Sequence, residues 1–427
     1  MKLYNLKDNS QIVDFKTAVR TGLGRNQGLF FPKKIPQLTN IEQILKLSPH
    51  QRYFEILKNF VSENMDDSTL KMVIDKTFRF PAKLEKVSTQ NYCLELFHGP
   101  TLAFKDFGAN FMANCLQEFA SEQPITILTA TSGDTGAAVA HAFHGLKDIR
   151  VVVLFPKGKI SELQQKMFTT LGDNIHTVAV EGDFDDCQQL VKQSFDDASF
   201  VEQIGLNSAN SINISRLLAQ VCYYFDAFTQ LPEDKRNSVV VSVPSGNFGN
   251  LCAGIIAKTL GLPIKRFIAS TNLNDTVPRY LQSGEWSPNE TIATISNAMD
   301  VSRPNNWPRI EYLMQSDQFD RKDLTGTAVS EEDTRDSLRS LYQSGYISEP
   351  HAAVAFKALA DSLVDDEIGI FLGTAHPAKF KSTVEETLEI ALPLPEALES
   401  CATKEDLSVQ LQANFEQLKS HILGLSV

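Results

Sequence analysis

The lysine at position 105 is the residue of this chain best suited to covalent chemistry. It lies in an apolar and small-residue run, Phe-His-Gly-Pro-Thr-Leu-Ala-Phe-Lys-Asp-Phe, at residues 97–107. Burial lowers the pKa of a lysine and frees its amine as a nucleophile, which a Schiff-base lysine requires. A Gly-Pro turn before it and a helical pattern after it, at 108–119, place the amine at a loop-to-helix junction, where side chains often face clefts. The alternative is a surface lysine whose stem covers the neighbouring phenylalanines.

A glycine-containing loop at residues 245–250, Ser-Gly-Asn-Phe-Gly-Asn, is a candidate anion site. It connects an apolar strand pattern to a helical one, so successive backbone N–H groups and the helix dipole can converge on one phosphate. It lacks the Lys-Ser/Thr of a nucleotide P-loop and does not match G-x-G-x-x-G, which disfavours nucleotide and dinucleotide sites. The alternative is a tight turn that binds no ligand.

Residues 131–136, Thr-Ser-Gly-Asp-Thr-Gly, form a second strand-to-helix loop. Their hydroxyls and backbone donors suit a carboxylate or a phosphate. An acidic residue beside an anion needs an explanation, and the simpler role of Asp134 is that of a helix N-cap.

A polar run at residues 207–216 combines amides, hydroxyls and one arginine before an apolar helical segment. Arg216 can grip a phosphate through two parallel hydrogen bonds while the amides complete the shell. The alternative is a polar helix start with a solvated arginine.

Histidines are the remaining candidates for acid–base chemistry, but none has a partner at a suggestive spacing. We expect structural roles for His98, His141, His144, His351 and His376. No serine-triad motif and no metal-ligand spacing is present, so we expect no metal site.

Apolar strand patterns that alternate with helical ones indicate parallel sheets buried on both faces. The predicted strands are 125–131, 151–155, 175–180, 239–243, 267–270 and 368–372. The predicted helices between them include 137–146, 160–171, 183–195 and 251–260. In such sheets the loops after the strand carboxyl ends meet on one rim, where ligands bind.

The chain has 427 residues, which exceeds what one hydrophobic core usually holds. We expect an N-terminal cap domain at 1–90 and a catalytic core at 91–427. Within the core, 110–205 is expected to form a smaller α/β subdomain, and 91–109 with 206–271 and 341–427 a larger one. The polar segment 272–340 reads as an insertion of loops and short helices.

The chain carries 40 basic and 52 acidic residues, a net charge of −12. An acidic surface repels phosphodiester backbones, so we expect no nucleic-acid partner. No apolar run approaches the ~20 residues that span a bilayer, and the start lacks a signal-peptide pattern. The six cysteines are scattered and are expected to be reduced core residues. We expect a soluble, cytoplasmic protein without a membrane partner.

The lysine context His-Gly-Pro-Thr-x-x-Phe-Lys-Asp and the downstream Ser-Gly-Asn-Phe-Gly-Asn loop resemble the fold-type II pyridoxal-phosphate enzymes. Within that group the chain is similar to the threonine synthase family. Further matching motifs are Thr-Gly-Leu-Gly at 21–24, Gly-Leu-Phe-Phe-Pro at 28–32, the 131–136 loop, the 210–216 run and Gly-Thr-Ala-His-Pro at 373–377. The resemblance covers nearly the whole chain. It implies a tryptophan synthase β-like α/β fold, with two parallel-sheet domains and the N-terminal cap.

The resemblance also implies pyridoxal 5′-phosphate as cofactor, with Lys105 bound to it covalently and Thr374 facing its pyridine nitrogen. The implied cofactor-binding residues are Lys105, Ser245, Gly246, Asn247, Phe248, Gly249, Asn250 and Thr374. The implied substrate-binding residues are Thr131, Ser132, Gly133, Asp134 and Thr135 for a carboxylate, and Asn210, Ser211 and Arg216 for a phosphate. Many fold-type II relatives carry Asn where this chain has Asp134, so the resemblance assigns the backbone of this loop but not that side chain.

The implied reaction converts O-phospho-L-homoserine and water to L-threonine and phosphate, the last step of threonine biosynthesis, by γ-elimination and β-addition of water. Substrate and cofactor each carry a phosphate, so an acidic protein needs two separate anion sites. Lys105 would move protons at the substrate carbons while the cofactor takes up electrons. The alternatives are another fold-type II enzyme, such as a threonine or serine dehydratase, and a catalytically silent metabolite-binding paralogue. We expect a monomer or a homodimer.

Overall fold

The computed structural model describes residues 1–119 and 123–425. Three sheets organise this part of the chain. In chain order the strands are β1 (Leu3–Asn5), β2 (Asp8–Val13), β3 (Phe30–Pro32), β4 (Lys83–Lys86), β5 (Asn91–Glu95), β6 (Ile125–Ala130), β7 (Ile149–Pro156), β8 (Ile175–Glu181), β9 (Leu206–Asn207), β10 (Val239–Pro244), β11 (Arg266–Thr271), β12 (Leu324–Ala328), β13 (Ile368–Gly373) and β14 (Val409–Gln412).

The helices cover the sheets on both faces or extend from their edges. They are α1 (Phe15–Thr21), α2 (Ile41–Leu45), α3 (Pro49–Val61), α4 (Asp67–Thr77), α5 (Lys105–Glu118), α6 (Asp134–Phe143), α7 (Glu162–Thr169), α8 (Phe184–Asp196), α9 (Ala198–Ile204), α10 (Ile214–Thr229), α11 (Gly249–Leu260), α12 (Thr276–Ser283), α13 (Trp307–Gln315), α14 (Glu331–Gln343), α15 (Pro350–Ala360), α16 (Lys381–Leu388), α17 (Glu396–Ala402) and α18 (Phe415–Gly424). No helix of the described ranges is long and apolar enough to cross a membrane.

The N-terminal region forms its own antiparallel sheet, in the order β2-β1-β3, followed by helices. Its α3 docks on the core helix α10 through a buried ionic contact. Arg52 donates to Asp226 Oδ1 at 2.6 Å, and the Tyr53 hydroxyl donates to Asp226 Oδ2 at 2.6 Å. A buried carboxylate is tolerated only when its oxygens are bonded, so this contact fixes where the two helices meet.

The largest sheet has the order β12-β11-β10-β13-β5-β4. Its strands are parallel except β4, which pairs antiparallel with β5. Every residue of β10 and β13 is buried, as expected for strands covered by helices on both faces. Helix α10 is buried over nearly its whole circumference because it lies between α5 and α11 inside the core.

The second parallel sheet has the order β14-β8-β7-β6-β9. The strand memberships differ from the expected division in four places. β4, from the first ninety residues, belongs to the largest sheet, and so does β12, from the expected insertion. β9 and β14, both expected with the larger subdomain, pair with β6 and β8 in the second sheet. Short edge strands have little apolar pattern of their own, so sequence reasoning assigned them by proximity. The domain boundaries themselves stay a prediction.

All the strands predicted from apolar runs are present, with ends that differ by one or two residues. Helices α5, α6 and α11, however, begin two or three residues earlier than predicted, at Lys105, Asp134 and Gly249. The first turn of a helix needs no apolar periodicity, so glycine and polar residues concealed these starts. As a result, the predicted site motifs lie at the N-terminal ends of α5, α6 and α11.

Candidate active site

A cleft lies between the loops that follow β6, β10 and β13. The predicted site residues meet in it, with two exceptions. Its walls include Lys105, Thr131, Ser132, Asp134, Thr135, Asn210, Ser211, Arg216, Gly246, Asn247, Phe248, Gly249, Asn250 and Thr374. Segments far apart in sequence therefore converge on one cavity, as expected for the carboxyl edge of parallel strands.

Ser245 and Gly133 are the predicted residues that do not line the cleft. The Ser245 hydroxyl donates to the carbonyl oxygen of Val243 at 2.8 Å, and its side chain is buried. Gly133 has a φ of 135°, which favours glycine, and its N–H donates to the Thr131 hydroxyl at 2.9 Å. Both residues shape the turns beside the cleft.

Lys105 is the first residue of α5, and its side chain is only 16% exposed. Its Nζ lies 5.5 Å from the ring centroid of Phe104 and 3.9 Å from Asp134 Oδ2. Burial lowers the pKa of this amine to about 8, and the Asp134 carboxylate limits that fall. The amine thus points into a cleft rather than across an open surface, and a substantial fraction of it is neutral near physiological pH.

Asp134 is not the N-cap of α6. Gly133 occupies that position, and Asp134 is the first helical residue. Its Oδ1 lies 2.5 Å from the Nζ of Lys379. Burial alone would raise the pKa of Asp134, but the ammonium groups of Lys379 and Lys105 hold it well below its usual range. The ammonium groups of Lys105 and Lys379 therefore neutralise an ionised aspartate beside an anion site, and only Lys379 was not placed there by sequence reasoning.

Lys379 contacts the candidate site, and sequence reasoning missed it. Its side chain is fully buried, and its Nζ donates to the carbonyl oxygen of Thr101 at 2.9 Å in the loop that leads to Lys105. The signal was present, because Lys379 lies between Ala378 and Phe380 in an apolar turn, as Lys105 lies among apolar neighbours.

The loop between β10 and α11 has the geometry of an anion-binding nest. Phe248 adopts the left-handed conformation, with φ 61° and ψ 14°, immediately before the first helical residue. Within the described ranges, the backbone N–H groups of residues 246–250 have no protein acceptor. These donors line the cleft at the positive end of the α11 dipole, so they fit a phosphate group without a lysine.

Close packing behind this loop explains its first glycine. A Cβ on Gly246 would lie 2.9 Å from Met299 Cα and 3.0 Å from the carbonyl oxygen of Ala298. A Cβ on Gly249 would be at ordinary contact distance, 3.4 Å from Asn306 Nδ2. Only Gly246 is therefore required by the packing of the loop.

Thr374 follows β13 and lies at the cleft beside a buried polar chain. Its hydroxyl donates to Glu349 Oε1 at 3.4 Å. Glu349 Oε2 lies 2.5 Å from His351 Nδ1, while His351 Nε2 accepts from the N–H of Ala298 at 3.1 Å. Through this bond His351 anchors the cleft wall at Ala298.

The other histidines do not line the cleft. His98 pairs with Glu95, His141 bonds the carbonyl oxygen of Met167, and His144 pairs with Asp173. His376 accepts from the N–H of Ala378. Their predicted structural roles agree with these contacts.

Arg216 is only 2% exposed, so the alternative of a solvated arginine is wrong. It donates to the carbonyl oxygen of Ala209, and its Nε has no partner among the described residues. Burial lowers its pKa to about 10, and the charge of Asp106 limits that fall. A buried cation with unused donors at a cleft suits a bound anion.

The neighbouring polar residues hold this arginine's loop in place. The Ser211 hydroxyl accepts from Asn306 Nδ2 at 3.1 Å, and Asn210 Oδ1 accepts from the Thr129 hydroxyl. Arg309, fully buried, donates to the carbonyl oxygens of Ile212 and Phe30 at 2.6 and 3.0 Å. It thereby joins the 207–216 run to the N-terminal sheet.

Residues 297–301 of the expected insertion form a wall of the cleft that sequence reasoning also missed. Their polar composition resembled a surface loop. Asp300 accepts hydrogen bonds from Thr294 and Asn272, and burial raises its pKa to about 6. Hydrogen-bonded polar side chains therefore hold this half-buried segment in place, and they leave no apolar period for a sequence pattern to reveal.

Family comparisons agree with this geometry. The pyridoxal-phosphate-dependent enzyme family matches residues 79–370, the threonine synthase N terminus matches 4–78, and the threonine synthase C-terminal family matches 352–422. The chain is 59% identical to a threonine synthase of Serratia marcescens, with 100% of both chains covered. It is 60% identical to that of Haemophilus influenzae, covering 99% of this chain and 100% of the relative.

Solved structures give the same result. The crystal structure of threonine synthase from Escherichia coli has a TM-score of 0.96 at 57% identity, with 99% of each chain covered. PLP-bound threonine synthase from Brucella melitensis has a TM-score of 0.91 at 31% identity, covering 99% of this chain and 98% of the other. Threonine deaminase isoform 2 of Solanum lycopersicum, at 17% identity and a TM-score of 0.58, shares the fold alone. The chain belongs to the threonine synthase family of pyridoxal-phosphate-dependent enzymes.

Proposed function

We propose that the protein catalyses the threonine synthase reaction, which converts O-phospho-L-homoserine and water to L-threonine and phosphate. The observation that carries this proposal is one cleft with a reactive amine and two separate groups of unused anion donors. One group is the run of free N–H groups at 246–250, and the other is the buried guanidinium of Arg216. A substrate and a cofactor that each carry a phosphate require two such groups.

The residues of the cleft fit pyridoxal 5′-phosphate. The 246–250 loop would hold its phosphate, Lys105 would bind it covalently, and Thr374 would face its ring nitrogen. Bound pyridoxal phosphate supplies an electron sink for the charge that develops on the substrate carbons. The fit rests on the free donors of the loop and on the lowered pKa of Lys105.

The remaining roles follow from charge and position. The Ser132–Thr135 turn at the start of α6 would bind the substrate carboxylate through backbone and hydroxyl donors. Thr131 shapes this turn, because its hydroxyl accepts from the N–H groups of Gly133 and Gly136 at 2.9 and 2.8 Å. Asn210, Ser211 and Arg216 would bind the substrate phosphate, which leaves as an anion and needs a cation beside it.

Lys105 would act as both base and acid. With a pKa near 8, its amine can accept a proton from one substrate carbon at neutral pH and return a proton to another. The surrounding side chains are buried, so they limit the access of bulk water to this amine.

We infer that the protein is a cytoplasmic lyase. The support is that all six cysteines are free and buried, as predicted for a reducing compartment. A monomer or homodimer, without nucleic-acid or membrane partners, remains our expectation.

The deciding experiment follows phosphate release and threonine formation together. The purified protein, loaded with pyridoxal phosphate, is given O-phospho-L-homoserine, L-homoserine or L-threonine. We expect equal amounts of phosphate and threonine from the first substrate alone. Formation of 2-oxobutanoate from L-threonine, without phosphate-dependent turnover, would indicate a dehydratase. Absence of any turnover in cofactor-loaded protein would indicate a silent paralogue. No observation on the cleft favours either alternative.

A further inference from the structure

Two lysines, Lys105 and Lys379, share the carboxylate of Asp134 at the wall of the cleft. Asp134 lies with Oδ1 2.5 Å from Lys379 Nζ and Oδ2 3.9 Å from Lys105 Nζ. The side chains of Asp134 and Lys379 are 5% and 0% exposed, so water contributes little to solvating this group. Lys379 comes from the turn after β13, Asp134 from α6 and Lys105 from α5.

The cluster carries one positive charge more than its carboxylate can balance. A buried charge without a partner is costly, so one of the two ammonium groups is favoured to lose its proton. Lys379 has the shorter contact with Asp134 and also donates to the carbonyl oxygen of Thr101. Lys105 has only the longer contact, so it is the amine that gives up its proton.

Other charges face the same group. Arg216 lies on the cleft side and opposes protonation of Lys105, whereas Glu349 favours it. Asp106 interacts electrostatically with Asp134 and Lys379, and its carboxylate accepts hydrogen bonds from the N–H and the hydroxyl of Thr101. His351, whose Nε2 accepts from the N–H of Ala298, also faces this cluster and acts on the Asp134 carboxylate.

We propose that Asp134 and Lys379 are positioning residues that set the protonation state of the Lys105 amine. Lys379 neutralises one oxygen of Asp134 and fixes the carboxylate in place. The other oxygen of Asp134 receives the ammonium that forms when Lys105 takes up a proton. The inference rests on the proposed role of Lys105, and it explains why an aspartate occupies a loop that binds anions.

The proposal predicts shifts of opposite sign in two variants. In Asp134→Asn, Lys105 loses its anionic partner and still faces Lys379, so its pKa falls. In Lys379→Met, the whole charge of Asp134 acts on Lys105, so its pKa rises. An opposite charge within 4–6 Å shifts a pKa by ~1–3 units, so each midpoint should move by at least about one unit.

The test measures the amine directly, without catalysis. Full-length protein freed of cofactor is reductively methylated with formaldehyde and cyanoborohydride between pH 6.5 and 9.5, where only a neutral amine reacts. Peptide mass spectrometry gives the rate at Lys105, with the exposed Lys147 as an internal control. At pH 7 we expect Asp134→Asn to react roughly five- to tenfold faster than wild type, and Lys379→Met about tenfold slower.

Several outcomes would separate the possibilities. Midpoints that stay at the wild-type value, or that move in the same direction in both variants, would overturn the proposal, because a merely structural role predicts no opposite shifts. If Lys379→Met does not fold, the near-isosteric Asp134→Asn decides alone, through the direction of its shift. Failure of the proposed reaction would give a different result. The two variants would show opposite shifts in the Lys105 midpoint, but the wild-type protein would form no threonine.

Discussion

Replacing Gly246 by alanine is a sharp test of the loop geometry. The new Cβ would lie 2.9 Å from Met299 Cα and 3.0 Å from the carbonyl oxygen of Ala298. Both are backbone atoms, so no side-chain rotation can relieve the contact. Carbon atoms pack at about 3.5–4.0 Å, so the loop and the 298–299 segment must separate by roughly 0.5–1 Å.

The magnitude follows from the cost of overpacking. Forcing an extra methyl group into a packed site costs ~1–3 kcal/mol. In cofactor-free protein the loop can shift to relieve this strain. A bound phosphate, however, requires the N–H groups of 246–250 to converge on it. The strain therefore appears as lost affinity for the cofactor, and at 1.4 kcal/mol per factor of ten it amounts to roughly 5- to 150-fold.

The assay titrates cofactor-free protein with pyridoxal phosphate and follows the absorbance of the bound form. Gly249→Ala is the matched control, because its Cβ would be 3.4 Å from Asn306 Nδ2 and 3.5 Å from Ser211 Cβ, both ordinary contacts. We expect near wild-type affinity for Gly249→Ala and a clear loss for Gly246→Ala. If Gly246→Ala binds pyridoxal phosphate as tightly as wild type, the packing argument is refuted. If both variants lose the same affinity, the contacts of the new Cβ atoms do not determine cofactor binding.

Three further predictions concern the Lys105 amine, the residues that would bind the substrate phosphate, and the 131–136 loop. Borohydride reduction of the cofactor-loaded protein should leave the pyridoxyl group on Lys105. The rate of covalent cofactor attachment should rise roughly tenfold per pH unit and level off above about pH 8, because only the neutral amine attacks. Arg216→Ala should lower kcat/KM for O-phospho-L-homoserine roughly 10- to 150-fold while it keeps its cofactor, and Arg216→Lys should recover only part, because an ammonium cannot grip two oxygens in a fixed plane. Thr131→Val should lower the free energy of unfolding by about 1–3 kcal/mol or more, measured by denaturant titration, because the N–H groups of Gly133 and Gly136 lose their acceptor.

Each of these has a clear contrary outcome. An adduct on another lysine, or an attachment rate that does not change with pH, would remove Lys105 from the site. Full activity of Arg216→Ala would show that another residue holds the phosphate. Wild-type stability of Thr131→Val would show that the two N–H groups find other acceptors, and Thr131→Ser, which keeps the hydroxyl, is the control for the side-chain change.

Sequence reasoning succeeded where the information is local. Apolar runs located the buried strands β6, β7, β8, β10, β11 and β13, because strands covered on both faces consist of consecutive apolar residues. The motifs around Lys105 and the 245–250 loop pointed to the cleft, because loops after parallel strands share one rim. The starts of α5, α6 and α11 were misplaced, because a first helical turn shows no periodicity.

The sequence by itself determined the long buried strands and the loops that meet at the cleft, since a hydrophobic period is a property of about ten consecutive residues. Only the tertiary structure decided which charges meet. The sequence pattern was equally consistent with a solvated Arg216, and it indicated no role for Lys379. Packing buries both side chains and brings Lys379 to Asp134. The function of an ionisable group depends on its burial and on its nearest charge, and both are set by segments that are distant along the chain.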